Sequence, residues 1–229
     1  SPSPAADLSL MHSSINEREH LVRAALSAPA LGTLRRALPL LLACAALLAP
    51  IWAGHEGMRR WQVLVLALPP MAALFWPSAA RGRRLAQGLL CFVLGLAFVI
   101  DGALRGFLLS AYEALPNSAM VLSAVANTTP DESHEFVSMY WRDLLGWALF
   151  ALLCAGALAA GLYLWWRAPP RLRAPRGWTI VIGALLLALM VGAFASKPWR
   201  RHHPFAFWPQ WVQDVGGLRQ QWAGFSLQR

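Results

Sequence analysis

Charge is what this sequence has least of. Asp, Glu, Lys and Arg make up 14% of its 229 residues, against roughly 25% in a soluble globular domain. Several apolar runs approach the ~20 residues that cross a bilayer as a helix. The two observations together exclude an ordinary soluble enzyme and point to an integral membrane chain, to be read first as spans and then as an orientation. Alternation of apolar and polar residues is also lacking, which favours helices over a closed barrel as the way to satisfy backbone groups in lipid. Cysteine is sparse. Cys44, Cys91 and Cys154 all fall inside apolar runs, at spacings that suit neither a metal site nor a disulfide framework, and they read as small buried apolar residues. No Ser-His-Asp arrangement, glycine-rich phosphate loop or HExxH motif is present. His202 and His203 are adjacent without an acid or cysteine beside them, so they read as part of an interfacial tail rather than as zinc ligands.

What charge there is has a sign and a place. The formal net charge is +9, a value that suggests nucleic acid until the residues are located. Arg81, Arg83 and Arg84 form one cluster, and Arg167, Arg171, Arg173 and Arg176 another. Both sit in short acid-free connectors between apolar runs, the pattern of cytoplasmic loops rather than of a nucleic-acid surface.

Five runs read as transmembrane helices, at about 37–54, 61–76, 85–110, 144–166 and 178–195. A signal peptide is the rival reading of the first, but Cys44 follows Arg36 too closely for the "LLAC" box to close one. Pro69 and Pro70 are expected to kink the second. With the tail 1–32 in the cytoplasm, both arginine connectors are cytoplasmic as well. The segment 111–143 then lies outside with Glu113, Asp131, Glu132, Glu135 and Asp143 against Arg142 alone. Trp52, Trp61, Trp76, Trp147, Trp165, Trp166, Trp178 and Trp199 fall near the expected interfaces. Residues 196–229, rich in Pro, Trp and Arg, read as an extracytoplasmic interfacial segment leading onward. The chain begins at Ser1, with Met11 as another candidate start.

The acid-rich island "ANTTPDESHEF", residues 126–136, interrupts this oily background. Thr129 suits an N-cap, Pro130 the first helical position, and Glu132 the closing member of a capping box. A helix is therefore expected from Pro130 into the fourth span, preceded by a short helix over "NSAMVLSAVAN" with Met120, Val121 and Val125 at the membrane surface. Helix capping explains much of the polarity without any function. A continuous helix would instead place Ala124, Thr128 and Glu132 on one face, and Pro130 favours the break. Asp101 and Arg105, four residues apart and hence on one helix face, lie near the outer end of the third span, Asp101 roughly 24 Å along it. They read as a local ion pair that eases burial, or as a polar edge that helps hold a lipid headgroup.

This pattern resembles the membrane domain of the bacterial phosphoethanolamine transferases. The carrying stretch is "IDGALRGFLLSAYEALPNSAMVLSAVANTTPDESHEF", followed by a fourth span; the resemblance covers about residues 33–215. Family members carry Asn-x-x-x-Thr-x-x-x-Glu in the outer loop. Thr128 and Glu132 match its last two positions, and Ala124 stands where the family has Asn. The resemblance implies a two-domain enzyme that moves phosphoethanolamine from phosphatidylethanolamine to lipid A, lipopolysaccharide core or a periplasmic glycan. It implies a zinc-activated Thr nucleophile in a sulfatase-like periplasmic domain, so neither catalytic residues nor zinc are expected in this chain, which alone should be inactive. Thr128 and Glu132, with Asp101 and Arg105, are the implied contacts to the headgroup. Phosphatidylethanolamine and the chain's own catalytic domain are the implied partners. A self-sufficient small membrane protein, a transporter or assembly subunit, is the alternative; it would need polar residues at midplane depth, and the spans hold few.

Overall fold

The structure is a computed structural model that describes residues 29–74, 80–167 and 177–226. Trp76, Arg171, Arg173, Arg176 and Met11, all used in the sequence reading, lie outside the described residues. Among the described residues the chain is entirely helical: α1 (Pro29–Gly54), α2 (Gly57–Ala73), α3 (Arg81–Tyr112), α4 (Ala119–Asn127), α5 (Pro130–Arg167), α6 (Gly177–Ala195), α7 (Lys197–Arg200) and α8 (Pro204–Ser226). Four of the five runs expected to be helical fall within α1, α3, α5 and α6, and the second, 61–76, overlaps α2 as far as Ala73. The second stops at Ala73, with Pro69 and Pro70 inside the helix near its end.

Two of these helices, α3 with 32 residues and α5 with 38, are long and apolar enough to cross a membrane. At 1.5 Å per residue they extend about 48 and 57 Å, more than the ~30 Å hydrocarbon layer requires. Little of either is covered by protein. The most apolar stretch of α5 is only 17% buried, and Leu149, Leu152 and Leu153 point outward. A core helix of a water-soluble protein would hide such side chains, whereas an apolar exterior suits lipid.

The core is a mutual packing of α1, α3 and α5, with α2 laid against α3 and α6. Its buried stripe on α3 recurs at three- and four-residue steps and is built largely from small residues: Gly88, Cys91, Gly95, Phe98, Gly102 and Gly106. Small side chains let helices approach closely where no hydrophobic drive pulls them together. At Gly102 the approach is backbone to backbone: a Cβ there would run into the Pro50 carbonyl of α1, and one on Gly54 into the Gly102 carbonyl. Gly161 of α5 meets the Pro39 carbonyl in the same way.

Side-chain contacts define two ends. At one, Arg84 hydrogen-bonds the Trp165 carbonyl and the Arg81 guanidinium lies 4.8 Å from the Trp166 ring centre, which joins the start of α3 to the end of α5. At the other, the end of α1, the last third of α3, α4 and α8 come together.

α3 ends at Glu113, which takes the left-handed conformation (φ 50°) while its N–H is bonded back to Leu109. Tyr112 and Phe107 then meet Phe136 and Tyr140 of α5 at ring-centre distances of 5.4–6.3 Å, fixing the polar start of α5 over the end of α3. Residues 196–226, read as an interfacial linker, form α7 and α8. The second of these folds back along the bundle: Trp211 Nε1 donates to the Pro116 carbonyl at 2.7 Å, and Arg219 donates to the Val125 and Ala126 carbonyls at the end of α4.

Candidate functional site

The close crossing of α1 and α3 has a polar consequence. It brings His55, just past Gly54, against Asp101, just before Gly102. His55 Nε2 lies 3.2 Å from Asp101 Oδ2, an electrostatic contact rather than an aligned hydrogen bond, and Nδ1 lies 3.3 Å from the Ile51 carbonyl. The other carboxylate oxygen, Oδ1, accepts from Arg105 Nε at 2.8 Å and from Trp208 Nε1 at 2.9 Å. The guanidinium of Arg105 stacks on Phe207, 4.0 Å from the ring centre. His55, Asp101 and Arg105 are 1%, 0% and 2% exposed, so the Asp101 and Arg105 charges are removed from solvent and depend on one another, with the His55 ring packed beside them. The expected Asp101–Arg105 pair is thus present, but as the middle of a four-residue cluster joining the α1–α2 connector, α3 and α8.

Sequence reading passed over His55 and Trp208. The signal for Trp208 is weak, one Trp among twelve. That for His55 is better: "GHEG" is a tight connector between two apolar runs, and its first glycine, Gly54, permits the close approach that a polar partner needs.

Thr128 and Glu132 lie elsewhere on the same end. Thr128 caps the C-terminus of α4, and its hydroxyl donates to the Ala124 carbonyl at 2.6 Å. The Thr129 N–H donates to Glu132 Oε2 at 2.8 Å, and the Glu132 N–H donates to Thr129 Oγ1 at 3.3 Å. This is the expected reciprocal capping box, and the chain breaks between α4 and α5 as Pro130 suggests. Glu132 stays open to solvent and Thr128 is half-buried. Among the described residues no hydrogen bond or ion pair joins them to Asp101 or Arg105. The link between the two pairs is α8, which touches Asp101 through Trp208 and the end of α4 through Arg219.

His202 and His203 stand at the α7–α8 junction. Burial, with the charges of Arg59, Arg201, Arg105 and His55, pushes the His202 imidazole down to about 4, so it is neutral at neutral pH. His203 is also lowered by burial, opposed by Asp101. It packs edge-on against Phe98 and Phe194 at 5.1 and 5.6 Å.

Two open spaces adjoin the cluster. An apolar groove of about 860 Å³ runs between α2, α3 and α6, lined by Leu66, Leu90, Leu94, Leu187, Met190 and Val191 among others, with His203 and Phe205 at one end. A smaller, polar one of about 270 Å³ lies between Arg59 and α8. No family model matches the chain, and neither a curated protein nor a solved structure matches it.

Proposed function

We propose that the chain is a five-helix membrane domain that anchors a phosphoethanolamine transferase in a bacterial inner membrane and presents phosphatidylethanolamine to it. Catalysis, by a zinc-activated Thr, then belongs to a periplasmic domain outside this sequence. The phosphoethanolamine would pass to lipid A, lipopolysaccharide core or a periplasmic glycan.

The observation that carries the reading is the difference between the two ends of the bundle. One end offers Arg81, Arg83, Arg84 and Arg167, with no acid among the described residues. The other gathers the capped, acid-rich turn at 127–135, the buried Asp101–Arg105 pair and the long helix α8. Helix ends that carry arginine and no acid favour the cytoplasm. That leaves the polar end outside, where headgroups are handled, and α1, α2, α3, α5 and α6 as spans with the N-terminus in and the C-terminus out. The apolar exterior of α5 favours lipid around it, and the 860 Å³ apolar groove offers room for an acyl chain below that end.

A photoactivatable phosphatidylethanolamine in nanodiscs tests this directly. Crosslinks are expected within α4, the start of α5 and α8. Glu132→Gln separates the two roles open to that residue, because Gln still closes a capping box. If Glu132 holds the headgroup ammonium, crosslinking falls severalfold while thermal stability stays unchanged; if it only caps, both stay. Uniform crosslinking along the bundle, equal for phosphatidylglycerol, would refute lipid presentation. Solute flux through proteoliposomes of the chain would favour a self-sufficient transporter instead.

A further inference from the structure

The polar space beside α8 is built by three separate parts of the chain. Arg59 enters from the first turn of α2 and Asn117 from the turn before α4. Arg201 and His202 come from the α7–α8 junction, and Gln210 and Asp214 from α8. Phe207 forms part of the wall, and the buried Arg105 guanidinium stacks on its ring. The charges here do not balance. Asp101, the nearest buried acid, is already engaged by Arg105, His55 and Trp208. Asp214 accepts from Gln210 at 3.0 Å. Among the described residues no ion pair joins Arg59 or Arg201 to a carboxylate.

The fold therefore gathers like charges instead of dispersing them. Arg59 and Arg201 line the same space, with the Arg105 guanidinium stacked on Phe207 of its wall. Clustered cations with low-dielectric walls raise the local concentration of anions, and a guanidinium fork matches the oxygens of a phosphate. A space of about 270 Å³ is below the usual range for a drug-sized ligand, but it accommodates a phosphate with a short polar arm.

We propose that this pocket binds a phosphate ester, with its anionic oxygens on Arg59 and Arg201 and the amine or hydroxyl of its arm reaching Asp214. Neutral His202 and Asn117 supply further hydrogen bonds to the ester oxygens. The inference does not rest on the membrane-anchor reading, because a soluble ester and a lipid headgroup present the same oxygens to the arginines.

The test uses the full chain in nanodiscs, titrated with O-phosphoethanolamine by calorimetry and ³¹P line broadening. In parallel, the lipid retained from phosphatidylethanolamine/phosphatidylcholine mixtures is measured. Saturable binding is expected, weakened at least about tenfold in the Arg59→Gln/Arg201→Gln double variant, the scale of two charge-assisted contacts. Arg83→Gln at the opposite end should bind like the wild type. Loss of phosphatidylethanolamine enrichment in the same double variant makes the headgroup the source. Binding of the soluble ester with no lipid enrichment upholds the pocket and refutes lipid presentation. If the double variant fails to fold, Arg59→Lys and Arg201→Lys keep the charge, lose the fork and should bind more weakly; the wild-type affinity should also fall with salt. No saturable binding of either probe by the wild type, salt-independent binding, or a folded double variant with wild-type affinity overturns the proposal.

Discussion

Asp101 receives Arg105 and Trp208 on one oxygen and faces His55 with the other, so a buried carboxylate is held from α3, α8 and the α1–α2 connector at once. Removing its charge leaves Arg105 buried without an anion, and the unpaired charge, rather than the lost contact, dominates the cost. Asp101→Asn is expected to lower unfolding stability in detergent by roughly 3–5 kcal/mol. A double change of Asp101 and Arg105 to apolar residues should cost less than the sum of the singles, as a double-mutant cycle would measure. His202 sets a second residue-scale expectation. Its folded-state value of about 4 lies below the ordinary ~6.5. The neutral form is thus favoured on folding, and its contribution is fully present above that ordinary value. The contribution is lost as pH falls towards 4. Between about pH 6.5 and 5, before the exposed carboxylates titrate, the midpoint of thermal unfolding should drop in the wild type and change less in His202→Asn.

At the scale of the element, the sequence was most readable where local chemistry decides. The "TPDE" tetrad announced both the start of α5 and its capping box, and both are present. Thr129→Ala should cost about 0.5–2 kcal/mol, visible as a lower midpoint and as faster amide exchange in the first turn of α5. The short helix α4 was equally legible from Pro116 and the run that follows. Tertiary choices were not. Nothing local says that residues 204–226 form one helix, since Pro209 sits inside it and the run is Trp-rich and polar by turns. The helix is held by contacts to α3 and α4 more than ninety residues away in sequence. Nor does the pattern show which glycine carries a crossing. Gly102 does, and Gly156, with nothing near its Cβ position, does not. Gly102→Ala pushes a methyl against the backbone of α1, which cannot swing aside. A loss of roughly 1–3 kcal/mol is expected, together with loosening of the His55–Asp101 contact. Gly156→Ala should be neutral or slightly stabilising.

For the whole molecule, composition and run length announced the helical character of the described residues and located α1, α2, α3, α5 and α6, because an apolar run of that length has few other ways to satisfy its backbone. The orientation drawn from arginine counts has a narrower margin than the connectors alone suggest. The polar end also holds Arg59, Arg60, Arg200, Arg201 and Arg219, all outside the loop 111–143. Arg219 is used in fastening α8, and Arg59 and Arg201 face the polar pocket, so part of this basic charge has a local purpose. At the opposite end the first turn of α3 and the last turn of α5 carry Arg81, Arg83, Arg84 and Arg167 and no acid of their own. The proposed orientation rests on that composition rather than on a count.

Membrane-impermeant maleimide labelling of intact cells tests the assignment most directly, with Ser133→Cys reporting the capped turn and Arg83→Cys the arginine end. The three native cysteines, half-buried or buried, provide the background. The account predicts that Ser133→Cys reacts from outside and that Arg83→Cys reacts only after the membrane is opened. The reverse pattern, or recovery of the chain outside the membrane fraction, would contradict it.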